Sequence, residues 1–159
     1  MKKILKTSVF TVIALLFSSV LSAQTSKYKC MVQMTNYNGE GAYIVVSLVN
    51  PNGQYEKTLY MLGPEKKWYD TLKQWHKEEG KTAKLNGITG ASMAGGDRKI
   101  FNISIDNKYL NKGYKIRFES AVEDQKYVVS DAELNYTTAG VTAKTEGKGY
   151  IRYVKLVKS

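Results

Sequence analysis

The sequence predicts an all-β protein, an immunoglobulin-like antiparallel β-sandwich with one short helix. Three observations lead there. Almost everything after Gln24 alternates apolar and polar residues with a period of two. Turn signals such as Asn50-Pro51-Asn52-Gly53 separate the alternating runs. A single segment, residues 68–75, changes to a helical period. About seven short strands with turns between them fit a sandwich better than a βαβ fold.

The elements follow in order. Tyr28, Cys30, Val32 and Met34 share one face of a first strand. Ala42 to Val49 is a near-continuous apolar run, as expected of a central strand. With the alternating Tyr55, Lys57, Leu59 and Met61, residues 42–62 read as a β-hairpin. Phe101, Ile103 and Ile105 share a face, as do Tyr114, Ile116 and Phe118, opposite Lys115, Arg117 and Glu119. Val128, Ala132, Leu134 and Tyr136 form another strand, with a bulge expected near Ser130-Asp131. Thr137 to Gly149 is polar and reads as a loop. In the closing strand Ile151, Tyr153 and Lys155 alternate with Arg152, Val154 and Leu156. The helix places Trp68, Leu72 and Trp75 on one face, opens at Pro64-Glu65 and closes at Gly80. It is expected to connect one sheet to the other and to lay its Trp face over the edge of the core.

The first 23 residues set the compartment. Lys2, Lys3 and Lys6 precede an uncharged apolar run from Ser8 to Leu21, and Leu21-Ser22-Ala23 offers a cleavage site. This is the layout of a secretory signal peptide, and the run is shorter than the roughly 20 residues of a membrane-spanning helix. The expected product is a periplasmic protein with one domain over residues 24–159 and no membrane span. Loss of those three lysines lowers the formal charge from +10 to +7. Such a balance favours acidic partners. Lys66-Lys67 is the longest basic run, so nucleic acid is not expected. Cys30 is the one cysteine; it cannot form an intramolecular disulfide, and its alternation with apolar neighbours marks a core position.

Residues with chemical potential are few. His76 is the single histidine, which leaves one candidate axial ligand for haem, paired with Tyr69 or a nearby Met. It sits among Lys73, Lys77, Glu78 and Glu79, as a solvated residue would. There is no Gly-x-Ser-x-Gly elbow, no zinc-type Cys/His cluster and no phosphate-binding Gly pattern. Catalysis is therefore not expected. Glu119 and Glu123 are placed to flank a site, although strand carboxylates are commonly exposed.

Several of these residues resemble a known family. They are Lys57-Thr58-Leu59, Lys67-Trp68, Leu72, Trp75, the turn Thr89-Gly90-Ala91-Ser92, and Gly113-Tyr114 leading to Phe118-Glu119-Ser120-Ala121. Over Ala42 to Tyr136 the chain resembles an uncharacterised bacterial periplasmic domain family, sometimes labelled flagellin-biosynthesis-like. The Gly113-Tyr114 strand also resembles the immunoglobulin-like part of flagellar hook-capping proteins. The resemblance implies company rather than chemistry: PepSY-type membrane proteins, flavin-transferase proteins and iron or haem uptake systems. In that company the first expectation is an accessory protein that docks a PepSY-type or haem/iron-uptake partner, or a ligand, through the Trp68–Ser92 segment and nearby loops, with Trp68, Trp75 and His76 as the partner-binding residues.

Asn86-Gly87-Ile88-Thr89-Gly90-Ala91-Ser92 resembles the flavin-attachment motif of exported flavoproteins. The resemblance implies that Ser92 is the acceptor of FMN, in a turn formed by Thr89, Gly90 and Ala91. Asn86 stands where that motif has an acid, and Ser92 where Thr is commoner. The turn also has a plain reading: Gly87 and Gly90 supply positive φ, and Ser92 bonds nearby backbone. A third expectation is a structural sandwich of the cell envelope with no small ligand.

Overall fold

The computed structural model describes residues 24–159. The segment read as a signal peptide, residues 1–23, lies outside them. Two sheets face each other across a core, as the period-two pattern requires. Strands β1 (Thr25–Met34), β5 (Arg98–Asp106), β8 (Lys144–Glu146) and β9 (Ile151–Lys158) form the first sheet, in the order β5-β1-β9-β8. The second, in the order β4-β3-β2-β6-β7, holds β2 (Tyr43–Val49), β3 (Tyr55–Leu62), β4 (Thr89–Gly90), β6 (Lys115–Ala121) and β7 (Val128–Asn135). Neighbouring strands are antiparallel except for the two-residue pairing of β4 with β3, which is parallel.

The expected core faces point inward. Tyr28, Cys30, Val32 and Met34 of β1 meet Phe101, Ile103 and Ile105 of β5 and Ile116 and Phe118 of β6. Burial pushes the Cys30 thiol above its ordinary range, which keeps it protonated and inert. The hairpin at 42–62 forms, closed by Asn50 and by Gly53 at φ 83°.

Strand β2 shows why its apolar run is continuous. Ile44, Val46 and Leu48 face the main core, while Val45 faces a second cluster on the other side of the sheet. That cluster also contains Met61, Tyr69, Leu72, Trp75 and Ala121. The helical segment therefore covers the outer face of the second sheet. It joins β3 to β4 within that sheet, and does not link the two sheets as its position in sequence suggested.

The expected single helix is two. A 3-10 helix, Lys66–Thr71, and a six-residue α-helix, α1 (Lys73–Glu78), meet at Leu72, whose ψ of 66° is not helical. The break turns the register. Tyr69, Leu72 and Trp75 become the buried face, and Trp68 leaves it.

Two further expectations change, and a third is met. Ile151, Val154 and Leu156 point inward, because the β1–β9 register shifts between Gln33 and Met34, and strict alternation fails there. The polar stretch 137–149 contains strand β8 and a 3-10 turn, Gly140–Thr142, with Val141 buried. The bulge expected near Ser130-Asp131 does occur, as a register shift in β6–β7 between Phe118 and Ser120.

Asp131 lies beside that shift and is fully buried. Its carboxylate accepts hydrogen bonds from the backbone N–H groups of Lys148, Gly149, Tyr150 and Ile151, and from Ser120 Oγ. One side chain of the second sheet thus fastens the turn into β9 of the first. Replacement of Asp131 by Asn puts an amide where only an acceptor fits, and leaves N–H groups unpaired. Asp131→Asn is expected to cost about 3 kcal/mol in denaturant unfolding and to speed amide exchange at residues 148–151 first.

Candidate functional site

The site begins with a buried carboxylate. Glu119 faces away from the main core, as its alternation with Phe118 dictates, yet its exposure is 0% because the helical segment lies over it. The Tyr55 hydroxyl donates to Oε1, and the Tyr127 hydroxyl donates to Oε2 at 2.5 Å. The Trp75 backbone N–H points at Oε2 from 3.3 Å, and the Gln74 N–H donates to the Tyr127 oxygen at 3.0 Å. These are N–H groups of the first turn of α1, which has no side-chain cap of its own. Glu119 thus caps a helix from a strand. The Trp75 indole N–H donates to Thr58 Oγ1 at 2.8 Å and fixes the other end of the contact.

An aromatic run continues from this anchor to the surface. Trp75 meets Tyr69 edge-on at 5.7 Å between ring centroids, and Tyr69 meets Tyr43 at 6.2 Å. The Tyr69 hydroxyl donates to the Gly63 carbonyl at 3.0 Å. The Tyr43 ring lies where any side chain at Gly63 would collide with it. Beyond Tyr43 a cleft opens, with a volume of about 150 Å³, lined by Gly41, Thr71, Ala121, Trp68, Ser92 and three carboxylates, Glu40, Glu65 and Glu123.

Trp68 and Ser92 come together here by separate means. The 3-10 turn carries Trp68, with its N–H on the Glu65 carbonyl and its own carbonyl accepting from Thr71 Oγ1. Ser92 precedes Met93, which is bridged to Ala42 in both directions, at 2.7 and 3.0 Å. The Tyr37 hydroxyl fastens the same bridge, donating to the Met93 carbonyl and accepting from the Ala42 N–H. A Cβ at Gly41 would sit 2.5 Å from Ser92 Oγ, so the close approach needs that glycine. Lys67 is the cation already present, 2.7 Å from Glu65 and 5.2 Å from the Trp68 ring centre.

The other expected site residues lie elsewhere. Trp75 is at 0% exposure and packs the second core, so it cannot face a partner. His76 is half-buried against Gly80 and the Trp75 ring, and Tyr69 bonds to Gly63 instead of joining it. Among the described residues no group of three His, Cys, Asp or Glu converges on a metal-sized point. Thr89 and Gly90 form β4, and the exposed Ala91 accepts from Lys99 Nζ through its carbonyl. Gly87 has positive φ as expected, at 74°; Gly90 does not, and serves by its close approach to Leu62 and Tyr60. The Ser92 hydroxyl makes no hydrogen bond among the described residues, so the expected bond to backbone is absent there.

Burial raises the Glu119 pKa above its ordinary 4.5, and the two tyrosines and the Trp75 N–H offset only part of that rise. The folded protein therefore holds the Glu119 proton more tightly than the unfolded chain. The resulting stabilisation is fully present below pH 4.5 and is lost as pH rises through the raised value. In Glu119→Gln this dependence disappears. The wild-type stability minus that of the variant, followed by denaturant unfolding from acid to neutral pH, is expected to fall with rising pH. A flat or rising difference contradicts the burial argument.

No characterised protein and no solved structure matches the chain. Among the described residues no helix is long and apolar enough to cross a membrane. A sequence profile described as a predicted periplasmic protein of unknown function, DUF2271, matches residues 25–153, from the first strand into the last. The match exceeds the stretch from Ala42 to Tyr136 that carried the resemblance, and the chain belongs to this periplasmic family.

Proposed function

We propose that the protein is a non-catalytic accessory module of a membrane-associated redox or iron/haem-uptake system. It docks its partner, a PepSY-type membrane protein or an uptake component, through the cleft between Tyr43 and Trp68. The observation that carries this reading is the meeting of Trp68 with Tyr43 and three carboxylates in one small opening. Tryptophan is enriched among the residues that dominate protein interfaces. The opening of about 150 Å³ is well below the roughly 300–1,000 Å³ of small-molecule sites, and suits one inserted side chain. Carboxylates beside an aromatic face select a basic side chain, and Lys67 shows the geometry. The redox or uptake context rests on the company that such families keep, and on periplasmic location.

A second reading is favoured by one observation: the Ser92 hydroxyl opens into the same cleft beside two aromatic rings. An FMN joined to Ser92 would place its flat ring system against them. The fit is poor for the rest of the group. The cleft is too small to enclose the ring system, and Glu40, Glu65 and Glu123 oppose a phosphodiester, with Lys67 the one cation at hand. Mass spectrometry after co-expression with a flavin transferase separates the two readings. An FMN adduct on the Ser92 peptide, lost in Ser92→Ala, establishes the second; an unmodified peptide removes it.

Trp68 is the residue that tests the first. Its ring is half-buried, and the segment is held by Tyr69, Leu72 and Trp75, so Trp68→Ala is expected to fold. Capture of a redox or iron/haem-uptake membrane protein from solubilised envelopes is expected, weakened at least about thirty-fold in Trp68→Ala. Capture that the variant retains in full contradicts the cleft as the docking site.

A further inference from the structure

The two sheets differ on their outer faces. The helical segment covers the second, whereas among the described residues no element covers the first. Along β1 the outward residues are Lys27, Lys29, Met31 and Gln33. The register sets Ile100 opposite Met31, Arg98 opposite Gln33, and on the other side Lys155 opposite Met31 and Val157 opposite Lys29. Ile100 at 57% and Val157 at 53% exposure are two of the three large apolar residues exposed among the described residues, and both lie on this face. They stand beside Met31 as an aliphatic centre within a ring of cations.

Those cations are unneutralised. Lys27, Lys29, Lys155 and Arg98 take part in no ion pair among the described residues. The register brings two acids onto the face, Glu146 opposite Tyr153 and Asp106 opposite Thr25, and each is already paired, with Lys144 at 2.7 Å and with Lys108 at 3.7 Å. The cleft carboxylates Glu40, Glu65 and Glu123 line an opening beside the covering segment, so they do not neutralise these cations.

We propose that the bare face of the first sheet is a docking surface for an anionic phospholipid bilayer. Charge complementarity selects an anionic partner, and residue type selects lipid over protein. Lysine and exposed β-branched aliphatics dominate the face, whereas protein interfaces are depleted of lysine and enriched in aromatic residues and arginine. Lysine stems lie along an apolar boundary with their charges at the headgroups, while Ile100 and Val157 reach the acyl margin. Bound in this way, the protein presents its cleft away from the lipid. The surface stands independently of the cleft reading, and Trp68→Ala is expected to leave lipid binding unchanged.

The test is co-sedimentation of the exported protein, from Gln24 onward, with vesicles of phosphatidylglycerol and phosphatidylethanolamine, and with vesicles of phosphatidylcholine alone. Binding to the anionic vesicles is expected, falling with salt, with little binding to phosphatidylcholine. The triple variant Lys27→Glu, Lys29→Glu, Lys155→Glu is expected to lose on the order of a hundred-fold in affinity. Lys57→Glu, Lys77→Glu, Lys84→Glu changes the net charge equally at exposed positions off this face, and is expected to retain most of the binding. All six sites are solvent-exposed, so both variants are expected to fold, which thermal unfolding checks. Absence of binding to anionic vesicles, or equal loss in the two variants, overturns the proposal. Binding to soluble polyglutamate without binding to vesicles overturns it in favour of an acidic protein surface.

Discussion

A single buried carboxylate holds the second layer of this protein in place. Glu119 leaves β6 on the outer side of its sheet and gathers Tyr55 from β3, Tyr127 from the following loop and the first turn of α1. A six-residue helix has too few hydrogen bonds to stand alone in water. It persists because Glu119 caps it and Trp75 anchors in the pocket beside Thr58. Desolvation of the carboxylate is the cost, expressed as a raised pKa, and the three groups that donate to it, the Tyr55 and Tyr127 hydroxyls and the Trp75 N–H, offset part of it.

The clamp gives the sandwich two unlike outer surfaces. Over the second sheet it seals Val45, Met61 and Ala121 from water and brings the 3-10 turn to the margin, where Trp68 faces a cleft. The first sheet keeps a bare, lysine-rich face. Each surface suits a different partner for a physical reason: aromatic rings with carboxylates attract a basic side chain, and unpaired lysines around aliphatics attract an anionic boundary. On the two proposals together, the protein links a basic side chain of its partner to an anionic bilayer. The family's periplasmic location is compatible with both proposals.

Much of the fold was legible because strand alternation reports one buried face. Tyr28 to Met34, Phe101 to Ile105 and Tyr114 to Phe118 obeyed it. It failed where a strand is covered twice or a ladder slips. Glu119 reads as exposed by parity alone, and only a layer supplied by residues 66–78 buries it. One signal was available: Glu119 is the sole charge in Phe118 to Val122, an unusual place for a solvent-facing strand residue. Arg152 does not share the inward face of Val154 and Leu156, because alternation cannot locate the register shift beside it. The helix was found, but its break at Leu72 was not, so Trp68 and Trp75 were given one role and have two. Trp68 and Ser92 lie in one cleft because Met93 bridges Ala42, a pairing that no local pattern announces.

The central claim is that the cleft beside Trp68 is where the protein meets its partner. Hydrogen–deuterium exchange of the protein alone and in complex with the captured membrane protein tests it directly. Protection is expected in residues 40–43, 65–71, 92–93 and 121–123, the segments that form the cleft. Protection confined to the opposite sheet, or to the loops at 50–54 and 107–113, contradicts the account.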